Sequence, residues 1–385
     1  MRASPGLGFY SGYSTIGDAL GWDGLRITNR ANWECLKQQT STRLAYLASD
    51  RYCGCSIPQC PDCPTDIKFF IKVEPHKPDK LAAHRYRLIS SLSLVDQMVD
   101  RVLFGAWQQA DINDAMSRAS KTGWSPIPNG FYDVLGVFPK EVLATDCSAF
   151  DWTFPAWVVQ VLIDLKLELM RGTTLSFESA ARKRFSEVLG TGCTIRLPDG
   201  SRYRQLVQGI MKSGWLLTIS ANSDAQELIT LLAWSRAYTG PCPRLWSMGD
   251  DVLMRWQEGL PSGPLELELK RAGILSKFAV PEREFAGFKF GRDSVTGEPW
   301  VDPLYPDKHK YLLAHTQEED LEEVVTSHGL LYSMARLETS RWIQPLLDKY
   351  SRWTRSVYKS WAYGHLMTTT KLVQTDDAAG MFALN

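Results

Sequence analysis

No stretch of the 385-residue sequence approaches the roughly 18 uncharged apolar residues of a membrane-spanning helix, and residues 1–10 lack the apolar core of a secretory signal. Both absences lead us to expect a cytosolic chain. Net charge is missing too. The 43 basic and 43 acidic side chains cancel, so any surface for a polyanion has to come from local clustering. Eight cysteines in a chain this long are poor grounds for a disulfide framework, which leaves reduced thiols or a metal site. Internal repeats and long low-complexity tracts are also lacking, so boundaries are read from Gly/Pro punctuation and changes of period. What is present is a 44% apolar composition, enough to bury the core of one multi-lobed enzyme or of two to three small domains.

Val142–Thr145 is a short apolar run ending at Asp146, and beyond Pro155 the residues Val158, Leu162, Leu165 and Leu169 recur at helical spacing. This predicts strand, loop, helix. Thr194–Leu197 and Arg202–Leu206 flank Pro198-Asp199-Gly200, a hairpin signal because Pro fixes one dihedral and Gly accepts positive φ. Trp215–Tyr238 reads as a long helix, followed by a second hairpin in which Leu245–Met248 and Val252–Met254 bracket Gly249-Asp250-Asp251. Leu265–Ala272 reads as a helix stopped by Gly273, and beyond Asp302 the pattern is mainly helical, as in a separate lobe.

An isolated Asp-Asp turn is ordinarily a solvated loop, since turns favour Asp for backbone reasons. Here Asp146 ends a second apolar strand, and two such strands can bring Asp146 and Asp250 side by side, as a pair of divalent ions roughly 3.5–4 Å apart requires. Between them, Ser213-Gly214 precedes a helix on which Thr218 and Asn222, four residues apart, share a face. The ordered set Asp146, Asp151; Ser213, Gly214, Thr218, Asn222; Gly249, Asp250, Asp251 resembles the D-x4-D, SG-x3-T-x3-N and GDD motifs of positive-strand viral RNA polymerases.

That resemblance implies an α+β right-hand fold: fingers at 1–94 and 172–212, a palm of antiparallel sheet plus helices at 95–171 and 213–300, and a helical thumb at 301–385. It implies nucleotidyl transfer with two Mg²⁺ or Mn²⁺ ions, Asp146 and Asp250 as principal ligands and Asp251 near the second ion. Asp151 and Asn222, aided by Ser213, Gly214 or Thr218, would read the ribose 2′-hydroxyl.

The string from Phe69 to Lys80, FFIKVEPHKPDK, leads to Arg85-Tyr86-Arg87 and concentrates positive charge in a neutral chain. By itself such a run is a solvated loop. Together with RYRLISSLSLVDQMVDRVLFG it resembles the fingers motif of sobemovirus-, polerovirus- and barnavirus-like polymerases. In that frame Lys72 and Arg87 would hold triphosphate oxygens, Glu74 would hold the neighbouring basic groups in place, and Lys77, Lys80 and Arg85 would lie on the RNA path. Ser4-Pro5-Gly6 resembles the template-guiding motif, its glycine permitting close backbone approach. The chain would then begin inside the fingers, with the extension that ties fingers to thumb absent or in a preceding region. Lys277, on a turn after Gly273, is the expected general acid for pyrophosphate, and Glu284–Phe290, with Phe288, resembles the primer grip.

Cys53, Cys55, Cys60 and Cys63 depart from the family pattern, and four thiols in eleven residues can supply a tetrahedral zinc site or remain reduced. Two other readings compete: a reverse transcriptase, which usually carries an aromatic residue at the place of Gly249 and lacks the Ser213–Asn222 motif, and an inactive RNA-binding replication scaffold. Expected partners are template and product RNA, nucleoside triphosphates, a genome-linked protein primer and a membrane-anchored viral protein. The last would bring the chain to membrane-associated complexes in the host cytoplasm.

Overall fold

The computed structural model describes residues 1, 3–49, 65–74, 76 and 78–365, with residues 276–280 described by their backbone. The chain separates into two compact units. One comprises Met1–Gly123, Thr145–Val252 and Gly259–Ala279; the other comprises Trp124–Ala144, Leu253–Glu258 and the residues from Val280 onward.

Eleven strands are present among the described residues: β1 (Ile67–Ile71), β2 (Leu88–Ser91), β3 (Val142–Cys147), β4 (Thr194–Arg196), β5 (Arg202–Arg204), β6 (Leu245–Met248), β7 (Asp251–Arg255), β8 (Ser276–Val280), β9 (Glu284–Phe285), β10 (Phe288–Arg292) and β11 (Pro299–Pro303). They form three sheets, ordered β2-β1-β4-β5, β6-β7-β3-β8 and β11-β10-β9. In the first, β1 runs antiparallel to β2 and parallel to β4. Both anticipated hairpins form, β4 with β5 and β6 with β7. All six residues of β3 are buried, the carboxylate-bearing Asp146 among them.

The larger unit is organised by long helices at Arg30–Ala48, Leu94–Asn113, Ala156–Leu169, Leu175–Leu189 and Thr218–Ala237. Their starts carry sequence-encoded caps: the Ser93 hydroxyl accepts from the Asp96 amide and the Thr174 hydroxyl from the Phe177 amide. Phe104, Phe185 and Trp215 pack edge to face at ring separations of 5.1–6.1 Å. Beside this aromatic core lies a buried ion cluster. Arg184 grips Asp100 with two bonds of 2.7 and 3.0 Å and reaches Asp96 and Glu187, each at 3.2 Å. Burial alone would lower the Arg184 pKa, but the charges of Asp100 and Asp96 outweigh it and hold the guanidinium ionised.

In the second unit, β9 and β10 form a tight hairpin, with Phe288 opposite Phe285 and Pro303. Helices at Pro306–Ala314, Leu321–Leu331, Gln344–Tyr350 and Arg355–Ala362 follow. Leu313, Val325, Tyr332 and Ile343 form their small core. The helical character expected beyond Asp302 is present, though the stretch from Ser340 to Tyr363 is divided among short helices; Pro345, in the first turn of one of them, starts a new segment. Among the described residues, no helix is long and apolar enough to cross a membrane.

Candidate active site

The sheet order places β7 next to β3, which brings the end of β3 beside the β6–β7 turn. Gly249, with φ of +63°, makes that turn; an L side chain there would be strained. One carboxylate oxygen from each of Asp146, Asp250 and Asp251 lies within 4.8 Å of the others. Oxygens that share one divalent ion at about 2.1–2.5 Å are separated by no more than about 4–5 Å, so this donor set fits an oxygen-loving cation. Asp146 is 9% exposed, and Asp250, at the tip, is open to solvent.

Five residues beyond Asp146, the short Phe150–Thr153 helix carries Asp151. Asn222, on the Thr218–Ala237 helix, donates its side-chain amide to Asp151 Oδ1 at 3.0 Å. Burial pushes the Asp151 carboxyl up, opposed by that hydrogen bond and by the charge of Arg87. The Asn222 Oδ1 atom is buried and accepts no hydrogen bond from the described residues, an open acceptor of the kind a ligand hydroxyl satisfies.

The Ser213-Gly214 segment is sewn to β2. The Ser90 amide donates to the Ser213 hydroxyl at 3.1 Å, and the Gly214 amide donates to the Ser90 hydroxyl at 3.1 Å. The Thr218 hydroxyl donates to the carbonyls of Lys212 and Trp215, at 2.6 and 2.8 Å, where it secures the start of the helix. On β1's trailing end, Glu74 pairs with Lys72 at 3.0 Å and Arg87 at 3.5 Å, and the Lys72 amide donates to the Arg87 carbonyl at 2.8 Å. Lys80 lies on the short Pro78–Ala82 helix, and both Lys80 and Arg85 are exposed.

Ser4-Pro5-Gly6 is ordered against the start of the Leu94–Asn113 helix, where the Pro5 carbonyl accepts from the Leu94 amide at 2.8 Å. The close approach at Gly6 is to the chain itself, since a Cβ there would sit 2.1 Å from the Leu92 carbonyl oxygen. Lys277 lies in strand β8 rather than on a turn: with Gly273 ending the preceding helix at φ of +103°, the chain re-enters the sheet beside β3. Phe288 opens β10, half-buried, with its ring centroid 6.4 Å from that of Phe290. Lys77 and the cysteines Cys53, Cys55, Cys60 and Cys63 lie outside the described residues.

Sequence reasoning missed Ser223 and Gln226. Ser223 accepts from the Gly249 amide at 2.9 Å, and Gln226 donates to Cys147 Sγ at 3.0 Å and to the Asp250 carbonyl at 3.1 Å. Burial pushes the Cys147 thiol up to about 12, reinforced by the charges of Asp250, Asp146 and Asp251 and opposed by the Gln226 hydrogen bond, so it stays neutral. The available signal was a helix with Ser220, Asn222, Ser223 and Gln226 where an ordinary core face would be apolar.

A family model described as viral RNA-directed RNA-polymerase matches residues 61–125. Over 274 residues the chain is 34% identical to the replicase polyprotein P2AB of Southern bean mosaic virus, a match covering 68% of this chain and 27% of that polyprotein. The RNA-directed RNA polymerase of Mushroom bacilliform virus is 30% identical over 58% of this chain and 54% of its own length. The chain is similar to the viral RNA-directed RNA polymerases. Its resemblance to the sobemovirus, polerovirus and barnavirus proteins extends to protein P1-P2 of Potato leafroll virus, 30% identical over 74% of this chain and 27% of that protein. Matches span about a quarter of the two plant-virus proteins and about half of the mushroom-virus polymerase. The solved Sicinivirus 3Dpol RNA dependent RNA polymerase superposes with a TM-score of 0.68 at 19% identity, covering 96% of this chain and 77% of that one, which identifies the right-hand polymerase fold.

Proposed function

We propose that this chain extends RNA on an RNA template by nucleotidyl transfer in viral genome replication. The observation that carries this reading is the convergence of Asp146, Asp250 and Asp251 within 4.8 Å, beside the Asn222–Asp151 pair. Asp146, Asp250 and Asp251 would hold two divalent ions, Mg²⁺ or Mn²⁺, which would supply activation of the RNA 3′-hydroxyl and charge stabilisation of the leaving pyrophosphate. Asp151 and Asn222 bind the ribose 2′-hydroxyl, the unsatisfied Asn222 Oδ1 accepting its proton, with Ser213 and Gly214 framing the sugar. Thr218 then acts by fixing the helix start.

Lys72 and Arg87 hold the triphosphate, poised by Glu74. Ser4, Gly6, Lys77, Lys80, Arg85 and Phe288 are assigned to the RNA path, and Lys277 to protonation of pyrophosphate. We retain fingers at 1–94 and 172–212, palm at 95–171 and 213–300 and thumb at 301–385, although the compact units follow other boundaries: residues 280–300 group with the C-terminal helices. A genome-linked protein primer and a membrane-anchored viral partner in the host cytoplasm complete the proposal. Incorporation of labelled ribonucleotides on a primed RNA template with Mg²⁺ or Mn²⁺ tests it. Synthesis by wild type and none by Asp250→Ala supports it; equal synthesis by both overturns it.

A further inference from the structure

The turn that presents Asp250 is held by the helix that carries Asn222. Ser223, the next residue on that helix, is fully buried, and its hydroxyl donates to the Ile219 carbonyl at 2.7 Å. With the proton committed there, a lone pair is left to accept from the Gly249 amide at 2.9 Å. Gln226, one turn further on, is 2% exposed. Because a backbone carbonyl only accepts, the 3.1 Å contact with the Asp250 carbonyl assigns the amide nitrogen to that side of Gln226, and its second proton meets Cys147 Sγ.

One nitrogen therefore ties the residue after Asp146 to the backbone of Asp250. The two carboxylate-bearing segments are clamped to each other and to the helix, at atoms that no metal ligand uses. The helix has little freedom to shift, since Ala225, Ile229 and Ala233 on the same helix are fully buried.

We propose that Ser223 and Gln226 are positioning residues that set the Gly249–Asp250 turn against the end of β3, and so couple divalent-ion affinity to ribose selection at Asn222. The proposal rests on the polymerase reading above, in which Asp250 is a metal ligand. Substituting such supporting groups around metal ligands commonly costs 10–100-fold in metal affinity.

The test uses the full chain, with Mn²⁺ alone as the probe, its binding followed by the resonance signal of the free ion. Ser223→Ala and Gln226→Met are expected to weaken Mn²⁺ binding about tenfold or more. Ser223→Ala should also accelerate hydrogen exchange at the Gly249 amide, and both variants should lower the preference for ribo- over deoxynucleotides severalfold while RNA affinity holds. Ser223→Thr, which keeps the hydroxyl, should restore Mn²⁺ binding. Should Ser223→Ala fail to fold, Gln226→Met carries the test alone. Wild-type Mn²⁺ affinity in these variants, with binding lost in Asp250→Ala, overturns the positioning role and leaves the polymerase reading intact. Full Mn²⁺ affinity in Asp250→Ala overturns the metal reading itself.

Discussion

Asn222 donates a hydrogen bond of 3.0 Å to Asp151 from 71 residues away in the chain. The pair is linked to the carboxylate cluster by the chain that follows β3 on one side and by Ser223 and Gln226 on the other. Removing the Asp151 carboxylate would leave the Asn222 amide without this partner and the sugar site without its acid. Asp151→Ala and Asn222→Ala should each lower the selectivity for ribose over deoxyribose by about tenfold, the worth of one hydrogen bond. Competing incorporation of ribo- and deoxynucleotides measures it, and unchanged selectivity would reassign the pair.

Asp146 and Asp250 each place a carboxylate oxygen in the cluster proposed to hold the divalent ions. Asp146→Ala or Asp250→Ala should reduce synthesis on the order of a thousandfold, since bound metal ions contribute several kcal/mol to the transition state. Single-turnover primer extension at saturating nucleotide separates this from weakened nucleotide binding.

Glu74 sits between two cations whose proposed partner is a triphosphate. Lys72→Ala and Arg87→Ala should raise the KM for nucleotides more than they weaken RNA binding. Glu74→Ala should raise the same KM severalfold by releasing both cations from their present geometry. Nucleotide titrations set beside RNA-binding curves decide the ranking, and the opposite order would move both cations to the template path.

Arg184 and Asp100 form a doubly bonded pair, both almost completely buried. Arg184→Met leaves Asp100 buried without its ion partner and should cost about 3–5 kcal/mol, read from the urea unfolding midpoint. Adding Asp100→Leu should recover much of that loss, because the second change removes the uncompensated charge.

His309 lies beside Tyr332, with Nδ1 2.8 Å from the phenol oxygen, and burial lowers its pKa to about 4, helped by the charges of His328 and Lys308. Its folded pKa is thus depressed below the unfolded value of about 6.5. The unfolded chain binds the proton first, so the stability that the neutral ring contributes is present above pH 6.5 and is lost as pH falls toward 4. Thermal melts across that window should show a declining midpoint, and His309→Gln should flatten the decline. An unchanged slope would assign the acid sensitivity to other groups.

The carboxylates, both hairpins and the helix of Asn222 were legible in the sequence because each is marked locally: Asp146 by the apolar run before it, Asp250 by the glycine turn, and Asn222 by its spacing from Thr218. Local marks do not reveal where a hydroxyl points: the Thr218 proton goes to the carbonyls of Lys212 and Trp215. Lys277 was expected on a turn because the glycine before it is a strong local stop, whereas pairing with the sheet decided its strand conformation.

The order of chemistry-bearing residues and their spacing were therefore determined by the sequence, because periodicity and turn chemistry act between residues a few positions apart. Only the tertiary structure decided that Gln226 bridges Cys147 and Asp250, and that Arg184 neutralises carboxylates 84 and 88 residues away. Such contacts join side chains far apart in the chain, and they are set by how buried polar groups must be paired once the core has closed around them.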